Sequence, residues 1–421
     1  MSENSAPPAP QFALREGEFV AMMAMLMALQ ALCIDAMLPA LGHIATDLGE
    51  HDPNRRQLVI GVFLIAAGVF ALLPGALADR FGRRPVLFAG LGVYVVFGLA
   101  CALVTDFTTL LAMRVMQALG SAALAVLPSA IIRDRFGGDR MARAMSTISV
   151  VFMLVPILAP ALGQGVLLFA GWRWIFVAMV AMALIVGLWV YLRLPETLHP
   201  EYRQPIRPLT IARNMAEAAS NRAAIGYVLG GALVFGGLFG FLNSSQQLLA
   251  EHFGAGEWFP LLFAIGAASM AVASFTNSRI VERFGARRVS HTALFAFIAV
   301  SAAQVWQSSQ PNETLWQFMP LMAANMCLCG FLGANFGSIA MQPFARIAGA
   351  ASSFQAFLRM VGSAVLGALI GQAYDGSARP LALALLGGGL GALALVLYSE
   401  RGVLFRRLLP PGTPRETTIP R

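Results

Sequence analysis

Charged residues are scarce in this chain. Asp, Glu, Lys and Arg together make up only 12% of its 421 residues, whereas hydrophobic residues make up 58%. The mean hydropathy is +0.70. These values lie far from the usual balance of soluble proteins, so water is not the main solvent of this chain. Too few polar residues remain for a sizeable soluble domain.

Cysteine is also rare. Cys33, Cys101, Cys327 and Cys329 all fall in apolar segments, and none has the spacing of a zinc site or a redox pair. Cys327 and Cys329 are two residues apart, so on a helix they point to different sides. We expect four ordinary buried thiols.

No secretory signal is recognisable at the start. Residues 1–15 are polar and Pro-rich, without a basic start, a short apolar run or a small-residue cleavage site. The net charge of +8 could suggest a nucleic-acid partner, but the arginines lie in short loops between apolar runs without interleaved aromatics. They therefore indicate membrane orientation, and no nucleic acid is expected.

Long apolar runs fill most of the chain. A hydrocarbon core needs about 20 apolar residues per helix, and twelve such runs are present. The sequence therefore predicts an all-α membrane protein with twelve transmembrane helices at residues 17–42, 57–78, 85–104, 108–131, 142–168, 173–193, 223–248, 258–278, 289–308, 315–342, 349–373 and 380–399.

The twelve spans divide into two sets of six. Residues 194–222 contain four prolines among charged residues and are predicted to be a linker. The expected organisation is a tail at 1–16, a six-helix bundle at 17–193, the linker at 194–222, a second bundle at 223–400 and a tail at 401–421.

The arginines predict the orientation. They cluster in the linker and in the loops after the second, fourth and eighth spans, whereas the opposite loops hold only Arg55, Arg56, Arg173 and Arg379. Basic loops stay on the cytoplasmic side. Both termini are therefore expected in the cytoplasm, with the chain spanning a bacterial cytoplasmic membrane.

A weak internal repeat supports two related bundles. The sequence at 79–84, Asp-Arg-Phe-Gly-Arg-Arg, is similar to the sequence at 282–288, Glu-Arg-Phe-Gly-Ala-Arg-Arg. Each follows the second span of its half. Parallel repeats of this kind place a substrate site near the midplane, between the halves.

Asp35 is the one carboxylate predicted well inside a span, where a charge costs about 3 kcal/mol or more. It either lies close enough to the outer end to be solvated or pairs with a neighbouring helix. Alternatively, desolvation favours its protonated form, so that it carries a proton or neutralises a cationic substrate. The second interpretation is preferred.

Arg114 in span four is a second intramembrane charge, with Gln117 on nearly the same face. It could anchor neighbouring helices or sense the protonation of a nearby carboxylate. Arg359 in span eleven is expected nearer the cytoplasmic end, with a structural role.

In span five, Pro156 and Pro160 followed by Gly163 predict a helix that bends or packs closely at a rocking interface.

A sparse set of polar and aromatic residues is predicted to line a central, mainly apolar cavity. Such a lining suits lipophilic, varied substrates better than sugars or phosphates. The set comprises Gln30, Asp35, Gln117, Phe235, Phe239, Asn243, Gln246, Asn325, Phe331 and Asn335.

Methionines crowd the first span, and Met23 and Met27 have the spacing to share a helix face. A thioether site for Cu(I) was therefore considered. No histidine joins them at such spacing, and methionine commonly fills gaps in apolar packing, so no metal site is expected.

Several motifs together resemble the major facilitator superfamily and, within it, the Bcr/CflA group of drug:proton antiporters. Gly75, Asp79, Arg80, Gly82, Arg83 and Arg84 resemble the superfamily's loop after span two. Residues 114–120 are similar to the span-four antiporter motif. Residues 159–164 resemble the span-five motif, although Ala159 and Gln164 stand where glycines are usual.

The group's span-one signature resembles residues 34–41, which contain Asp35, and residues 171–176, 330–344 and 348–353 are similar to its other segments. The resemblance implies a pseudo-symmetric major facilitator fold, Asp35 and Arg114 as proton-coupling residues, and the loop after span two as a conformational latch. The small molecule would be exported in exchange for protons, by a monomer that needs no cofactor beyond the proton gradient.

Two other functions remain open. A selective importer of a nutrient or metal such as copper could use the same fold, and a non-transporting scaffold or receptor would show no flux. An enzyme is not expected, because no nucleophile, base and orienting partner stand at catalytic spacing.

Overall fold

The computed structural model describes residues 14–406 except 53, 137, 199–200, 202, 204–207 and 345–347. Of the predicted tails at 1–16 and 401–421, residues 1–13 and 407–421 lie outside the described residues. The described part of the chain is almost entirely helical and contains no β-strand. An apolar chain in lipid must satisfy its backbone internally, and helices do so within each segment.

The first bundle ends with a helix that reaches Arg193. Its first span is broken into α1 and α2, and its second span is bent by 41° between α3 and α4. The helices are α1 (Glu16–Asp35), α2 (Leu41–Asp47), α3 (Leu58–Phe70), α4 (Leu72–Phe81), α5 (Arg83–Leu103), α6 (Phe107–Arg135), α7 (Gly138–Phe169) and α8 (Arg173–Arg193).

The second bundle repeats the pattern after a short linker helix, α9 (Pro208–Ser220). A π-helical turn at Gln247–His252 extends its first helix. The helices are α10 (Arg222–Gln246), α11 (Phe259–Phe284), α12 (Ala286–Ser308), α13 (Leu315–Met341), α14 (Ala348–Gln372) and α15 (Arg379–Ser399).

These helices account for the twelve predicted spans. In the described residues, ten helices are long and apolar enough to cross a membrane, and the bent pair α3 and α4 adds an eleventh. The apolar stretch Leu154–Phe169 lies within α7, which has 32 residues. The prediction of an all-α, twelve-span membrane protein is confirmed.

Prolines explain both interruptions in the first bundle. Pro39 has no N–H to donate to the carbonyl of Asp35, and α1 ends at Asp35. Pro74 likewise cannot donate to the carbonyl of Phe70, where α3 ends. The sequence predicted each span as one continuous helix, so these breaks are a difference from the prediction.

The ends of the spanning helices define two sides of the molecule. The linker side carries the described residues of 194–221 together with the turns at Gly82 and Gly285. The opposite side carries residues 48–52, 54–57, 170–172, 253–258, 309–314 and 373–378. Gly82 and Gly285 have φ of 106° and 86°, values that residues with a side chain rarely adopt. Each joins the second and third spans of its half without a longer loop and lies within the internal repeat.

Two helix pairs form the main contact between the bundles: α3 packs on α14, and α7 packs on α11. The α3–α14 contact is close because glycines face it. A methyl group at Gly61 would lie 3.3 Å from the Cβ of Ala368, and one at Gly68 would lie 2.9 Å from Val361. Small residues allow this approach in membrane helices, where van der Waals packing drives association.

Within the first bundle, α5 and α6 pack closely. A methyl group at Gly120 would collide with the backbone nitrogen of Tyr94 and the carbonyl oxygen of Gly90. Neither backbone atom can move without shifting a whole helix. Close packing here therefore requires glycine at position 120.

We expect Gly120→Ala to destabilise the protein by about 1–3 kcal/mol, because the added methyl overpacks the α5–α6 contact. The measurement is the midpoint of thermal unfolding in detergent, followed by tryptophan fluorescence. Gly92→Ala in α5 is the control, since a methyl there meets nothing within 4 Å. Equal midpoints for the two variants would contradict this packing.

Candidate functional site

Asp35 lies at the break after α1 and is 6% exposed. Among the described residues, no hydrogen bond or ion pair reaches its carboxylate. In this conformation Asp35 is therefore neither well exposed to solvent nor paired with a neighbouring helix. Burial without a partner is costly for a charged carboxylate.

Helix α7 packs directly on this break through Gly163. A methyl group there would collide with the carbonyl oxygen of Ala36, the residue after Asp35, and would lie 3.2 Å from Pro39. Pro160 and Pro156 lie about one and two turns earlier, respectively, yet α7 remains one helix. The span-five motif therefore provides close packing beside Asp35 and does not interrupt the helix.

Arg114 is fully buried and joins three helices. Its Nε donates to the carbonyl of Val59 in α3 (3.1 Å), and Nη2 donates to the carbonyl of Cys33 in α1 (3.1 Å). Nη1 donates to Cys33 Sγ (3.0 Å) and to Oε1 of Gln117 (2.8 Å). The guanidinium also lies 4.2 Å from the ring centroid of Phe63, a cation–π contact.

Arg114 and Asp35 do not form an ion pair. Arg114 instead holds the carbonyl of Cys33, two residues before Asp35, and so fixes the end of α1. Gln117 is fully buried with its carbonyl oxygen taken by Arg114, so it does not line an open cavity here. Gln30 is half-buried in α1.

Asn243 lies at the contact between the bundles. It is 1% exposed and donates to the carbonyl of Phe239 in its own helix, while its Oδ1 has no partner. A methyl at Gly61 in α3 would lie 3.6 Å from that oxygen. Gln246 is half-buried and donates to Glu251 (3.2 Å) at the opposite side.

The other two predicted asparagines bond to neighbouring helices of the second bundle. Asn325 accepts from Ser301 (3.1 Å) and donates to Gln304 (2.7 Å), both in α12. Asn335 donates to Asn277 in α11 (2.7 Å). Both are buried, so in this conformation they join helices and do not offer free groups to a ligand.

A cavity of about 310 Å³ lies between the linker-side halves of α10, α13 and α14. Phe235 lines it, whereas Phe239 packs against α14, where a methyl at Gly367 would collide with it. Phe331 is half-buried in α13 and does not line this cavity.

Arg359 also lines the cavity. It is the twelfth of the 25 residues of α14, level with Gly231 and Phe235 in the middle of α10. The sequence placed it nearer the helix end with a structural role. In the structure its side chain is exposed and faces the cavity, which the sequence did not predict.

The predicted latch residues form a network within the first bundle. Arg83 donates to Asp79 (2.5 Å) and to Asp134 (2.8 Å). The carboxylate of Glu196, which follows α8, accepts from the backbone N–H of Arg83 (2.9 Å). A methyl at Gly82 would lie 2.6 Å from that carboxylate, a second reason for glycine at this turn.

The remaining latch residues are more open. Arg84 donates to the carbonyl of Tyr191 (2.7 Å), Arg80 is exposed, and a methyl at Gly75 would meet nothing within 4 Å. The contacts of Arg83 and Arg84 thus tie the first bundle to itself at the linker side. Residues 345–347, before α14, lie outside the described residues.

The two bundles are joined by polar contacts at the opposite side, here named the opposite-side lock. Arg56 pairs with Glu251 (2.5 Å), and Asn54 donates to the carbonyls of Gln372 and Tyr374 (both 3.0 Å). Arg56 is 8% exposed. The protein is therefore closed at the opposite side, while its described Arg359-lined cavity lies towards the linker side.

Sequence reasoning missed this lock and the cavity position of Arg359. In the sequence, Arg56 served only to predict the orientation of the chain. An arginine is not required in a loop on this side, and its presence there was the available signal for a partner.

In the described residues, no group of three or more His, Cys, Asp or Glu side chains could hold a metal ion. Met22 and Met23 are buried in the core of the first bundle.

Comparison with known proteins gives a consistent assignment. Residues 23–367 match the sequence profile of the Major Facilitator Superfamily. The chain is 28% identical over 364 residues to the bicyclomycin resistance protein homolog of Haemophilus influenzae, covering 86% of this chain and 91% of that protein. It is 30% identical over 346 residues to the multidrug resistance protein MdtL of Klebsiella pneumoniae, covering 80% and 85%.

Solved structures share the fold. A bacterial homolog of the human lysosomal transporter Spinster, in an inward-facing and occupied conformation, aligns with a TM-score of 0.67 at 17% identity, over 92% of this chain and 95% of that one. The human organic anion transporter MFSD10 aligns with a TM-score of 0.62 at 19% identity, over 92% and 100%. The expected twelve-span, two-bundle fold is confirmed.

We expect Glu251→Gln to weaken the opposite-side lock, because the cross-bundle ion pair is lost. Glu251 is partly exposed, so the pair contributes about 1 kcal/mol, or about fivefold in the ratio of closed to open states. Hydrogen–deuterium exchange should increase in residues 50–57 and 247–258.

The matched control is Arg55→Gln, because Arg55 pairs with Glu50 in its own bundle. It should leave exchange at 247–258 unchanged. Exchanging the charges, with Arg56→Glu and Glu251→Arg together, should restore protection. If Glu251→Gln and Arg55→Gln gave the same exchange pattern, the lock would have no role in closure.

Proposed function

Because this chain belongs to the Major Facilitator Superfamily, we propose that it is a proton-coupled antiporter that exports drugs or other small, largely lipophilic molecules by alternating access. The observation that carries the proposal is Asp35, an acid buried in the first span with no partner among the described residues. Intramembrane acids of this kind mark proton pathways.

The proposal includes the setting of the protein. The arginine distribution supports a bacterial cytoplasmic membrane with both termini in the cytoplasm, so the linker side faces the cytoplasm. The conformation described above is then closed to the outside. The protein works as a monomer and uses the proton gradient without a cofactor.

The proton step follows from the surroundings of Asp35. In the conformation described above Asp35 is 6% exposed and has no partner among the described residues, so its uncharged form fits this site. Substrate that enters from the cytoplasm or the inner leaflet displaces the proton, which leaves to the cytoplasm. After the halves have rocked, a proton from outside reloads Asp35 and expels the substrate.

Arg114 acts as a positioning residue in this scheme. It is a fixed positive charge that binds the carbonyl of Cys33, so it stabilises the end of α1 whether or not Asp35 is charged. Gly163 holds α7 against the same segment.

Two sets of polar contacts would govern which side is open. The opposite-side lock must break before substrate can leave to the outside. At the cytoplasmic side, the Asp79–Arg83–Asp134 network keeps the α4–α5 turn rigid, so that it can meet the second bundle as the predicted latch when that side closes.

The relatives favour export over import. The two relatives named above are resistance proteins, and the chain covers at least 85% of the length of each. Their names support drugs as the substrate class. No feature of the described residues favours a nutrient or copper importer, or a scaffold, over this function.

We expect Asp35→Asn to fold and insert but to lose proton-driven export, because the amide cannot release a proton. The measurement is proton release from purified protein in weakly buffered detergent, as chloramphenicol, bicyclomycin and a lipophilic cationic dye are added in turn. Wild type should release protons on addition of a substrate, and the variant should release none.

Asp375→Asn is the control, since Asp375 is an exposed carboxylate at the opposite side that bonds only to nearby Ser377 among the described residues. It should behave as wild type. Full substrate-triggered release from Asp35→Asn, with unchanged export in cells, would exclude Asp35 as the coupling acid.

A further inference from the structure

The cavity between α10, α13 and α14 contains one charged residue among those that line it. Arg359 stands among apolar side chains and small residues; the apolar ones include Val228, Phe235, Phe336 and Met341. The volume of about 310 Å³ is within the range of small-molecule sites. A single unpaired cation in a mainly apolar cavity is unusual in a membrane protein, because placing a charge there has a high free-energy cost.

Three other buried or largely buried arginines among the described residues are satisfied by protein groups. Arg114 binds two backbone carbonyls, Arg83 binds two carboxylates, and Arg287 binds Glu400 (2.7 Å). Arg359 differs from all three. In the described part of the chain, its only recorded partner is the ring of Phe235, 5.5 Å from the guanidinium carbon.

The side chain of Arg359 lies against α10. Its stem lies beside Gly231, where a methyl would lie 3.9 Å from Cδ. Phe235 contacts the guanidinium one helical turn further along α10. The N–H donors that face the cavity have no protein acceptor among the described residues, which is the arrangement of a binding group.

A planar guanidinium with free donors matches a carboxylate, which accepts two parallel hydrogen bonds. Phe235 and Phe336 offer an aromatic surface for an apolar body. We propose that Arg359 and Phe235 form a subsite for amphipathic organic carboxylates, so that the substrate range includes anions with an aromatic or aliphatic body.

This inference rests on the proposed function, since it names a substrate class for the same transporter. It differs from a site for lipophilic cations, which the unpartnered Asp35 alone would suggest. Ser338 and Ser352 also line the cavity and add neutral hydroxyl groups, but no carboxylate of the described lining opposes an anion.

The test compares three ligands of one shape: 2-naphthoate, the neutral 2-naphthamide and the cationic 2-naphthyltrimethylammonium. Binding is measured by calorimetry with full-length protein in nanodiscs of phosphatidylcholine, without a proton gradient. Wild type should bind naphthoate about tenfold or more tightly than naphthamide, as expected for a charge-assisted pair of hydrogen bonds.

Arg359→Gln should weaken naphthoate binding about tenfold and leave naphthamide binding unchanged. Arg359→Lys should keep part of the preference for the anion, because it keeps the charge but not the planar fork. Phe235→Ala should weaken both ligands. Arg379→Gln, which removes an exposed arginine at the opposite side, is the control and should match wild type.

Three results would overturn the subsite: no preference of wild type for naphthoate, an unchanged preference in Arg359→Gln, or tighter binding of the cation. A lipid headgroup is the other source of an anion. Naphthoate binding that persists in discs containing phosphatidylglycerol supports a soluble carboxylate, whereas its loss there would assign the site to lipid.

Failure of this inference and failure of the proposed function are distinguishable. Arg359-dependent carboxylate binding without proton-driven flux would uphold the subsite and reject antiport. Proton-driven export of neutral drugs, without an Arg359-dependent preference for carboxylates, would uphold antiport and reject the subsite.

Discussion

A guanidinium buried away from water needs hydrogen-bond acceptors from the protein itself, and this constraint fixes the architecture of the first bundle. Arg114 is fully buried, and its acceptors come from α1 and α3 as well as from its own helix. Moving α1 or α3 alone would leave at least one N–H of this buried guanidinium without an acceptor in a low-dielectric interior. We therefore expect the three helices to move together, and Asp35 with them.

Contacts within a bundle and contacts between the bundles differ in their polarity. Within each half, strong pairs tie the linker-side ends together: Arg83 with Asp79 and Asp134 in the first, and Arg287 with Glu400 in the second. Between the halves, α3 and α14 meet through glycines and apolar groups. Such a surface can rock without breaking hydrogen bonds, so the cost of switching is concentrated in the opposite-side lock.

The sequence was sufficient for the spans, their grouping and the special position of Asp35, because apolar length and a lone intramembrane acid are local signals. It could not tell which way each polar side chain faces. Asn325 and Asn335 lie in the predicted span but bond to α12 and α11, since the rotation of a helix about its axis depends on its packing partners. Arg359 and Arg56 were undervalued for the same reason: their partners, or the lack of them, arise from distant parts of the chain.

The groups assigned to the proton and those assigned to the anion lie in different halves of the molecule. Asp35, Arg114 and the residues that hold them belong to α1, α3, α6 and α7, whereas the described lining of the Arg359 cavity comes from α10, α13 and α14. With the roles proposed above, substitutions in the cavity can accumulate without disturbing the residues of proton coupling. The substrate selectivity can then diverge while the coupling residues stay the same.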